Sequence, residues 1–403
     1  MLIKIAWRNI WRNRVRSFVV IFAIALGLWA GVFASAFVQG MMEGKINSII
    51  QYEISHFQFH EKDYREEFKT ELYLENTSEI EKQLNADDRI IGYSSRLIAM
   101  GMVASANKNG SAKIVGINLD DEKQVTKLDT RLKEGSYFEG IKRNPILVST
   151  RFAEKYKLKL RNKVVVTVQD LDGEITAAVF RIVGFYKTGN GIFDDLNVFV
   201  RQSDLRNLLK IQDNDVHEIA VLSNSSDLSD PLAKEYQGQF EDQEVLAWPD
   251  LSPGMRYIID IFDVYLYIIV GIILVALLFS IVNTMLMAVL ERVKEIGMLM
   301  AVGMTKSKVF MMIMWETIFV SMIGAPLGLL FSYVSIAYFG KVGINLATDV
   351  YEEMGFSNVI YPYLEAAKYL DVTIMVVFMA LLAAIYPALK ALSLKPVEAI
   401  RKI

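Results

Sequence analysis

The sequence predicts a membrane protein: four transmembrane α-helices, with a large mixed α/β extracytoplasmic domain between helices 1 and 2. Three observations point there. The chain holds apolar runs long enough to cross a bilayer. Basic residues gather at one set of their ends. The interval after the first run, about half the chain, alternates like strands. The 403 residues are 53% hydrophobic and 22% charged, with a mean hydropathy of +0.29, more apolar than a soluble chain of this size.

A spanning helix needs about 20 apolar residues. Phe18 to Val38 and Val264 to Leu290 contain no charged residue, Val309 to Phe339 contains only Glu316, and Val372 to Leu389 is a shorter fourth run. These predict spans over 17–39, 258–290, 309–339 and 372–389. The segments outside them are an interfacial helix (1–16), the large domain (40–257), a coupling helix and loop (291–308), a short outer loop (340–371) and a tail (390–403). Lysine and arginine mark the cytoplasmic ends. The segment before the first span carries a net +5, the second connection +2 and the tail +3. The whole chain is −3, so the remainder carries −13, mostly in the large domain. Both termini and the second connection therefore face the cytoplasm.

A basic start, an apolar run and Ala34-Ser35-Ala36 also occur in cleaved signal peptides. The run here is long for a signal and carries a small residue every fourth position: Ala23, Gly27, Gly31 and Ser35. That stripe suits close helix packing in lipid and predicts a retained helix. Before it, Ile3, Trp7, Ile10 and Trp11 fall at helical spacing among basic residues, as in a helix lying in the membrane interface.

In the large domain, Tyr52–His60, Ala112–Ile117, Val164–Val168 and Val179–Phe185 alternate as strands. Ser78 followed by Glu81 reads as a capping box, Thr150–Tyr156 and Ser203–Lys210 read as helices, and Asp172-Gly173 reads as a hairpin turn. Little here suggests chemistry. The absence of cysteine excludes disulfides and thiolate sites. His56 and His60 share a strand face too far apart to chelate directly. Gly189-Asn-Gly191 lacks the third glycine of a dinucleotide loop and reads as a turn, and Asp120-Asp121 and Asp194-Asp195 read as solvated turns. No catalytic constellation, cofactor site or metal site is expected. With no Gly-x-x-x-x-Gly-Lys-Ser/Thr loop, ATP and Mg are expected in a partner and not in this chain. The charge pattern shows no nucleic-acid footprint.

The second connection is the most specific stretch. Asn283 to Lys308 reads as a span end, a charged amphipathic turn, a break at Gly303 and a new span. Ile296 and Leu299 are placed to face a partner groove, with Glu291, Arg292 and Glu295 as rim charges. Its Glu-Arg-x-x-Glu-Ile-Gly-x-Leu-x-Ala-x-Gly pattern, which includes Gly297, resembles the coupling helix of the FtsX-like permeases. That group contains MacB and the lipoprotein-releasing subunits LolC and LolE. Glu316 followed by Gly324-x-x-x-Gly328, and the ending Tyr386-Pro-Ala-Leu-Lys…Lys-Pro-Val-Glu-Ala-Ile-Arg401, are similar to that family as well.

Lys113-Ile-Val-Gly-Ile-Asn-Leu-Asp120 and Phe180–Val200 resemble the LolC/LolE branch. The stretch matching the loop with which LolC captures its carrier is Gln169, Asp170, Leu171, Asp172, Gly173 and Glu174. The resemblance implies a permease dimer, of one chain or of sister chains, on a cytoplasmic ABC ATPase dimer in the bacterial inner membrane. Its cargo would be a lipoprotein passed to a periplasmic carrier. A MacB-like efflux permease and an FtsX-like regulator of wall hydrolases are the alternatives. An apolar path open to membrane lipids is expected from Phe33, Phe37 and Val38 on helix 1 and from Ile258, Ile261, Phe262, Tyr265 and Ile269 on helix 2. Gly27, Gly31, Gly324 and Gly328 are expected to pack helices, and the intramembrane acid Glu316 to act in structure or coupling.

Overall fold

The computed structural model describes residues 2–12, 14–106, 108–346, 351, 356 and 359–392; the last part of the closing motif lies outside them. Along the chain run α1 (Leu2–Arg12), α2 (Arg14–Ile49), a π-helical turn (Ile50–Ile54), β1 (Phe57–Glu61), α3 (Tyr64–Glu67), α4 (Ser78–Ala86), β2 (Ile90–Ala104) and β3 (Asn109–Ile117). Then come α5 (Leu119–Val125), β4 (Leu132–Gly135), β5 (Pro145–Ser149), α6 (Thr150–Tyr156), β6 (Lys163–Gln169), β7 (Ile175–Tyr186), α7 (Gly191–Leu196), β8 (Asn197–Arg201) and α8 (Gln202–Leu209). They are followed by β9 (Glu218–Ser223), α9 (Ser229–Gln239), β10 (Gln243–Ala247), α10 (Trp248–Leu251), α11 (Pro253–Glu291) and α12 (Val293–Ala301). The last are α13 (Lys306–Val342), β11 (Ile344–Asn345), β12 (Val359–Ile360) and α14 (Ala366–Leu392). The chain divides into two compact units.

The membrane unit comprises Met1–Met42, Asp260–Asn345 and Val359–Ile403. Four helices, within α2, α11, α13 and α14, are long and apolar enough to cross a membrane. Their shared core takes Ile24, Leu28, Val32 and Ala36 from α2, a four-residue periodicity that lines one helix face. Leu274, Ile281 and Met285 come from α11, and Val376, Ala380 and Ala383 from α14. The alanines let α14 lie close to α13, the way helices associate where lipid removes any hydrophobic drive.

The glycines act similarly. A Cβ on Gly328 would stand 2.7 Å from the Ala25 carbonyl and 2.9 Å from Leu28 Cβ, and one on Gly324 would stand 3.0 Å from the Ile21 carbonyl. The third-span glycines thus admit the backbone of α2. On α2 itself, Gly27 faces Leu277 of α11 and Gly31 faces Val372 of α14.

The α/β unit comprises Glu43–Ile259 and Leu346–Asn358. Strands β2, β3, β8, β5, β7 and β6 pair in that order, and β6 returns to β2. The ring closes around Leu97, Ile114, Val148, Val164, Val166, Phe180 and Val200. Strand β4 adds to β7 at the edge of the ring, and β10, β1 and β9 form a sheet with β2 in the order β10-β1-β9-β2, covered by α4 and α9 through Ile80, Leu84, Leu232 and Tyr236. The long β2 serves both parts: Ile90–Arg96 pairs with β9, and Leu97–Ala104 with β3.

Three local expectations need correction. Tyr52–Ile54 is π-helical, and the strand begins at Phe57. The turn closes through Ser55 N–H donating to the Ile50 carbonyl, so alternation there is an accident of a tightened helix end. The cap of α4 is Thr77, whose hydroxyl donates to Glu81, while Ser78 donates to Asn76. Gly191–Leu196 is a helical turn capped by Asn190, and Asp194 is buried, accepting from the Thr188 N–H and hydroxyl. A buried carboxylate with dedicated donors is no solvated turn.

All three histidines are buried in the α/β unit. His217 Nδ1 accepts from the Ile98 N–H at 3.1 Å, which places the proton on Nε2, 3.1 Å from the Thr70 carbonyl. Burial pushes His60 and His217 down from 6.5 to about 4. Unfolded imidazoles take up protons near 6.5 and the folded ones only near 4. Stability from these groups is therefore complete above about pH 6.5 and is lost as the pH falls toward 4. With two protons involved, the slope reaches ~2.7 kcal/mol per pH unit. The urea midpoint of the detergent-purified chain should fall steeply between pH 6.5 and 4.5. A flat midpoint over that interval would contradict this reading.

Candidate functional site

The short helix α12 lies between the end of α11 and the basic start of α13. Arg292 breaks the helix with a non-helical conformation (φ −101°, ψ 14°) and caps α12. The other end stops at Gly303, whose φ of +107° suits glycine alone, with the Met304 N–H donating to the Leu299 carbonyl. Any side chain at Gly303 is strained by the backbone, although the space around it is open.

A chain of charges braces this helix. Arg292 Nη1 lies 3.1 Å from Glu316 Oε1, and Arg292 Nε lies 3.2 Å from Glu295 Oε2. Glu295 is also gripped by Arg12 of α1. Glu316 accepts a further hydrogen bond of 2.7 Å from Asn9 Nδ2. Burial opposes the charge of Glu295, but the hydrogen bonds from Arg12 and Arg292 outweigh it and hold the carboxyl below its ordinary range. One brace therefore joins α1, α12 and α13. It gives Glu316, an acid inside a span, an arginine and an amide as partners, as an intramembrane ionisable group requires. Trp7 adds an edge contact to Phe319 of α13, with centroids 5.3 Å apart.

The rim reading of these residues changes. Arg292 and Glu295 face each other and the brace, so neither is a freely offered rim charge. Ile296 and Gly297 are buried within the membrane unit and are not presented to a partner groove. Leu299 is half-buried and Glu291 exposed. The outward face of the connection consists instead of Lys294, Met298 (54% exposed) and Val302 (90% exposed). In the sequence Arg12 counts only among the five basic residues before the first span, and Asn9 gives no signal beyond a polar position on an amphipathic helix.

The other expected positions are scattered. Phe33 stacks on Trp29 and meets Phe339 edge-on, and with Val38 and Phe262 it packs on the membrane core. Phe37, Ile261 and Ile269 are half-buried, and Ile258 and Tyr265 are exposed. The stretch 169–174 is a tight turn between β6 and β7. Asp170 Oδ1 accepts from the N–H groups of Asp172 and Glu174, Gly173 takes φ +78°, and Lys210 lies within 3.4 Å of Asp170, Asp172 and Glu174.

A second charge cluster, unanticipated from sequence, lies in the α/β unit where β2 passes from sheet to ring. Arg96 forks onto Glu122 of α5 (Nη2 to Oε1, 2.8 Å) and reaches Glu218 of β9 (2.8 Å) and the Glu53 carbonyl (3.0 Å). Ser94 and Thr126 donate to Glu122 as well.

The comparisons with known proteins agree with this architecture. Residues 17–238 match the MacB-like periplasmic core domain, and residues 267–396 match the FtsX-like permease C-terminal family. The ABC transporter permease YtrF of Bacillus subtilis is 24% identical over 230 residues, 55% of this chain and 52% of its own length. The macrolide export ATP-binding/permease protein MacB of Escherichia coli is 25% identical over 143 residues, 36% of this chain and 21% of its own. The chain thus spans about half the length of the first relative and about a fifth of the second. Among solved structures, the periplasmic region of MacB from Actinobacillus actinomycetemcomitans covers 52% of this chain and 95% of its own, at 14% identity and a TM-score of 0.34. The extracellular domain of the ABC-type transporter YknZ from Gram-positive bacteria covers 47% and 98%, at 18% identity and a TM-score of 0.32. With the first family match alone covering more than half of the residues, and the four spans and interposed α/β unit as expected of it, the chain belongs to the FtsX-like permeases that carry a MacB-like periplasmic core domain.

Proposed function

We propose that the chain is the transmembrane permease subunit of an ABC transporter of the MacB/FtsX type. A cytoplasmic ATPase dimer, holding ATP and Mg, pushes on α12. A second permease, the same chain or a sister, completes the membrane part in the bacterial inner membrane. The observation that best supports this reading is the brace Arg12–Glu295–Arg292–Glu316–Asn9, which ties α12 to α1 and α13. A short helix held on two sides moves with its neighbours instead of swinging alone. A push on its exposed Met298 face is then passed into the spans.

The cargo we propose is a lipoprotein, drawn from the outer leaflet and handed to a periplasmic carrier. The reading rests on the likeness of the segments around Lys113–Asp120 and Phe180–Val200 to the lipoprotein-releasing branch. The apolar side chains Phe37, Ile258 and Tyr265 are candidates to meet its acyl chains, since such chains bind through buried area. A MacB-like permease acting on peptides or other lipidated compounds is the second reading. The tightness of the 169–174 turn favours it, because a turn closed by its own Asp170 and by Lys210 has few free groups for a carrier. Depletion of the chain separates the two. Outer-membrane lipoproteins stranded in the inner membrane support the first reading. Normal sorting together with heightened sensitivity to an exported compound replaces it with the second.

A further inference from the structure

Two kinds of cavity meet at the cytoplasmic end of α2. A wide one of about 840 Å³ with a polar rim opens between the start of α2 and the end of α11, its rim formed by Arg12, Arg14, Asn283, Thr284 and Glu291 over an apolar wall of Val15, Val19 and Met287. An apolar one of about 160 Å³ lies between α2 and α13 and is also lined by Arg14. It continues into a third of about 320 Å³, with which it shares Phe22, Ala25 and Phe331. That groove ends where the Trp29 indole N–H donates to Ser335 at 3.1 Å. From Arg14 to Trp29 the helix rises about 22 Å, close to half a bilayer with its headgroup region. Among the described residues Arg14 makes no ion pair, whereas Arg12 is shared with the brace.

We propose that this is a binding site for an anionic glycerophospholipid of the cytoplasmic leaflet. Its phosphate lies at the polar rim of the wide cavity against Arg14 and Arg12, with the Asn283 amide completing the hydrogen bonds. One acyl chain runs up the apolar groove between α2 and α13. The chemistry fits on three counts. Arg14 makes no ion pair among the described residues and Arg12 engages Glu295 through Nη2 alone, so guanidinium N–H groups are left to meet an anion. The groove walls are aliphatic and aromatic, which suits a hydrocarbon chain. The basic end lies where anionic headgroups concentrate. Arg12 belongs to both cavity and brace, so the lipid site and the coupling site share a side chain.

The test is lipid retention by the full-length chain, purified in detergent, exchanged into mixed phosphatidylglycerol and phosphatidylcholine micelles and weighed by native mass spectrometry. The intact protein should keep a stoichiometric phosphatidylglycerol. Arg14→Gln should lower that retention about fivefold, the factor one basic residue is worth at an anionic surface. Leu327→Trp, which fills the groove without touching charge, should lower it too. Lys308→Gln, also at the basic face, should leave it unchanged. Equal losses in Arg14→Gln and Lys308→Gln would mean a general surface-charge effect and overturn the proposal, as would the absence of any retained lipid. Disulfide formation between two copies carrying Val15→Cys would show a second copy in the groove and overturn it as well. None of these readouts needs an ATPase partner, so they stand apart from the proposed transport function.

Discussion

Arg96→Ala is expected to destabilise the detergent-purified chain by about 3–5 kcal/mol, the cost of stranding buried charges whose partner is removed. Arg96, Glu122 and Glu218 are each nearly inaccessible. Their three-way pairing is nearly complete: the guanidinium meets two carboxylates and the Glu53 carbonyl, and Glu122 takes two hydroxyls besides. Without Arg96 both carboxylates must be desolvated alone or be protonated. The cluster also sits at the residue where β2 leaves β9 and joins β3, so its loss unlocks the sheet from the ring. Arg96→Met combined with Glu122→Gln and Glu218→Gln should recover much of the stability, because a neutral pocket has no stranded charge. The urea midpoint reads both. A loss below about 1 kcal/mol in Arg96→Ala would mean the triad is not held as described.

Arg292→Ala carries the second large effect. It removes the arginine that touches both Glu295 and Glu316, and among the described residues leaves Glu295 with Arg12 and Glu316 with Asn9. A stability loss of about 2–3 kcal/mol is expected, below the fully buried range because Arg12 and Glu295 are part-exposed. Under the proposed function, ATP hydrolysis in a co-purified partner should uncouple from the permease. Arg292→Lys should fall between, since an ammonium cannot fork onto two carboxylates. Glu316→Gln, which keeps an acceptor for Asn9, should be milder than either. Equal thermal midpoints for Arg292→Ala and the unmodified chain would remove the brace from the account.

Much of this architecture was legible because membranes impose coarse rules. Uncharged runs such as Val264–Leu290 have few alternatives, and the basic residues around them orient the chain. The glycine repeat Gly324-x-x-x-Gly328 could be read as packing, because a missing side chain matters only where another backbone approaches. The brace was half legible. Glu316 stood out as an acid in a span, but Arg292 sits 24 residues away and Asn9 more than 300 away, and nothing local pairs them. Arg96 was invisible for the same reason: inside a strand, a lone arginine reads as a solvent-facing residue until the fold brings Glu122 and Glu218 to it. Ile296 was misassigned because amphipathic spacing identifies an apolar face without telling whether this chain or a partner covers it. The helix ends also outran the apolar runs, α2 reaching Ile49 and α14 beginning at Ala366, since helix continues past the lipid wherever no breaker stops it.

If α12 receives the ATPase, a site-specific cross-link should capture the contact. The chain has no cysteine, so Met298→Cys gives a single attachment point on the exposed face of α12. Ile192→Cys, on the exposed surface of α7, gives the control. Each variant carries a short photo-reactive group and is co-expressed with a candidate ABC ATPase. A covalent adduct between Met298→Cys and the ATPase is expected, stronger in trapped ATP, and none from Ile192→Cys. An ATPase that co-purifies but never cross-links to Met298→Cys, while reacting elsewhere on the permease, would contradict this expectation.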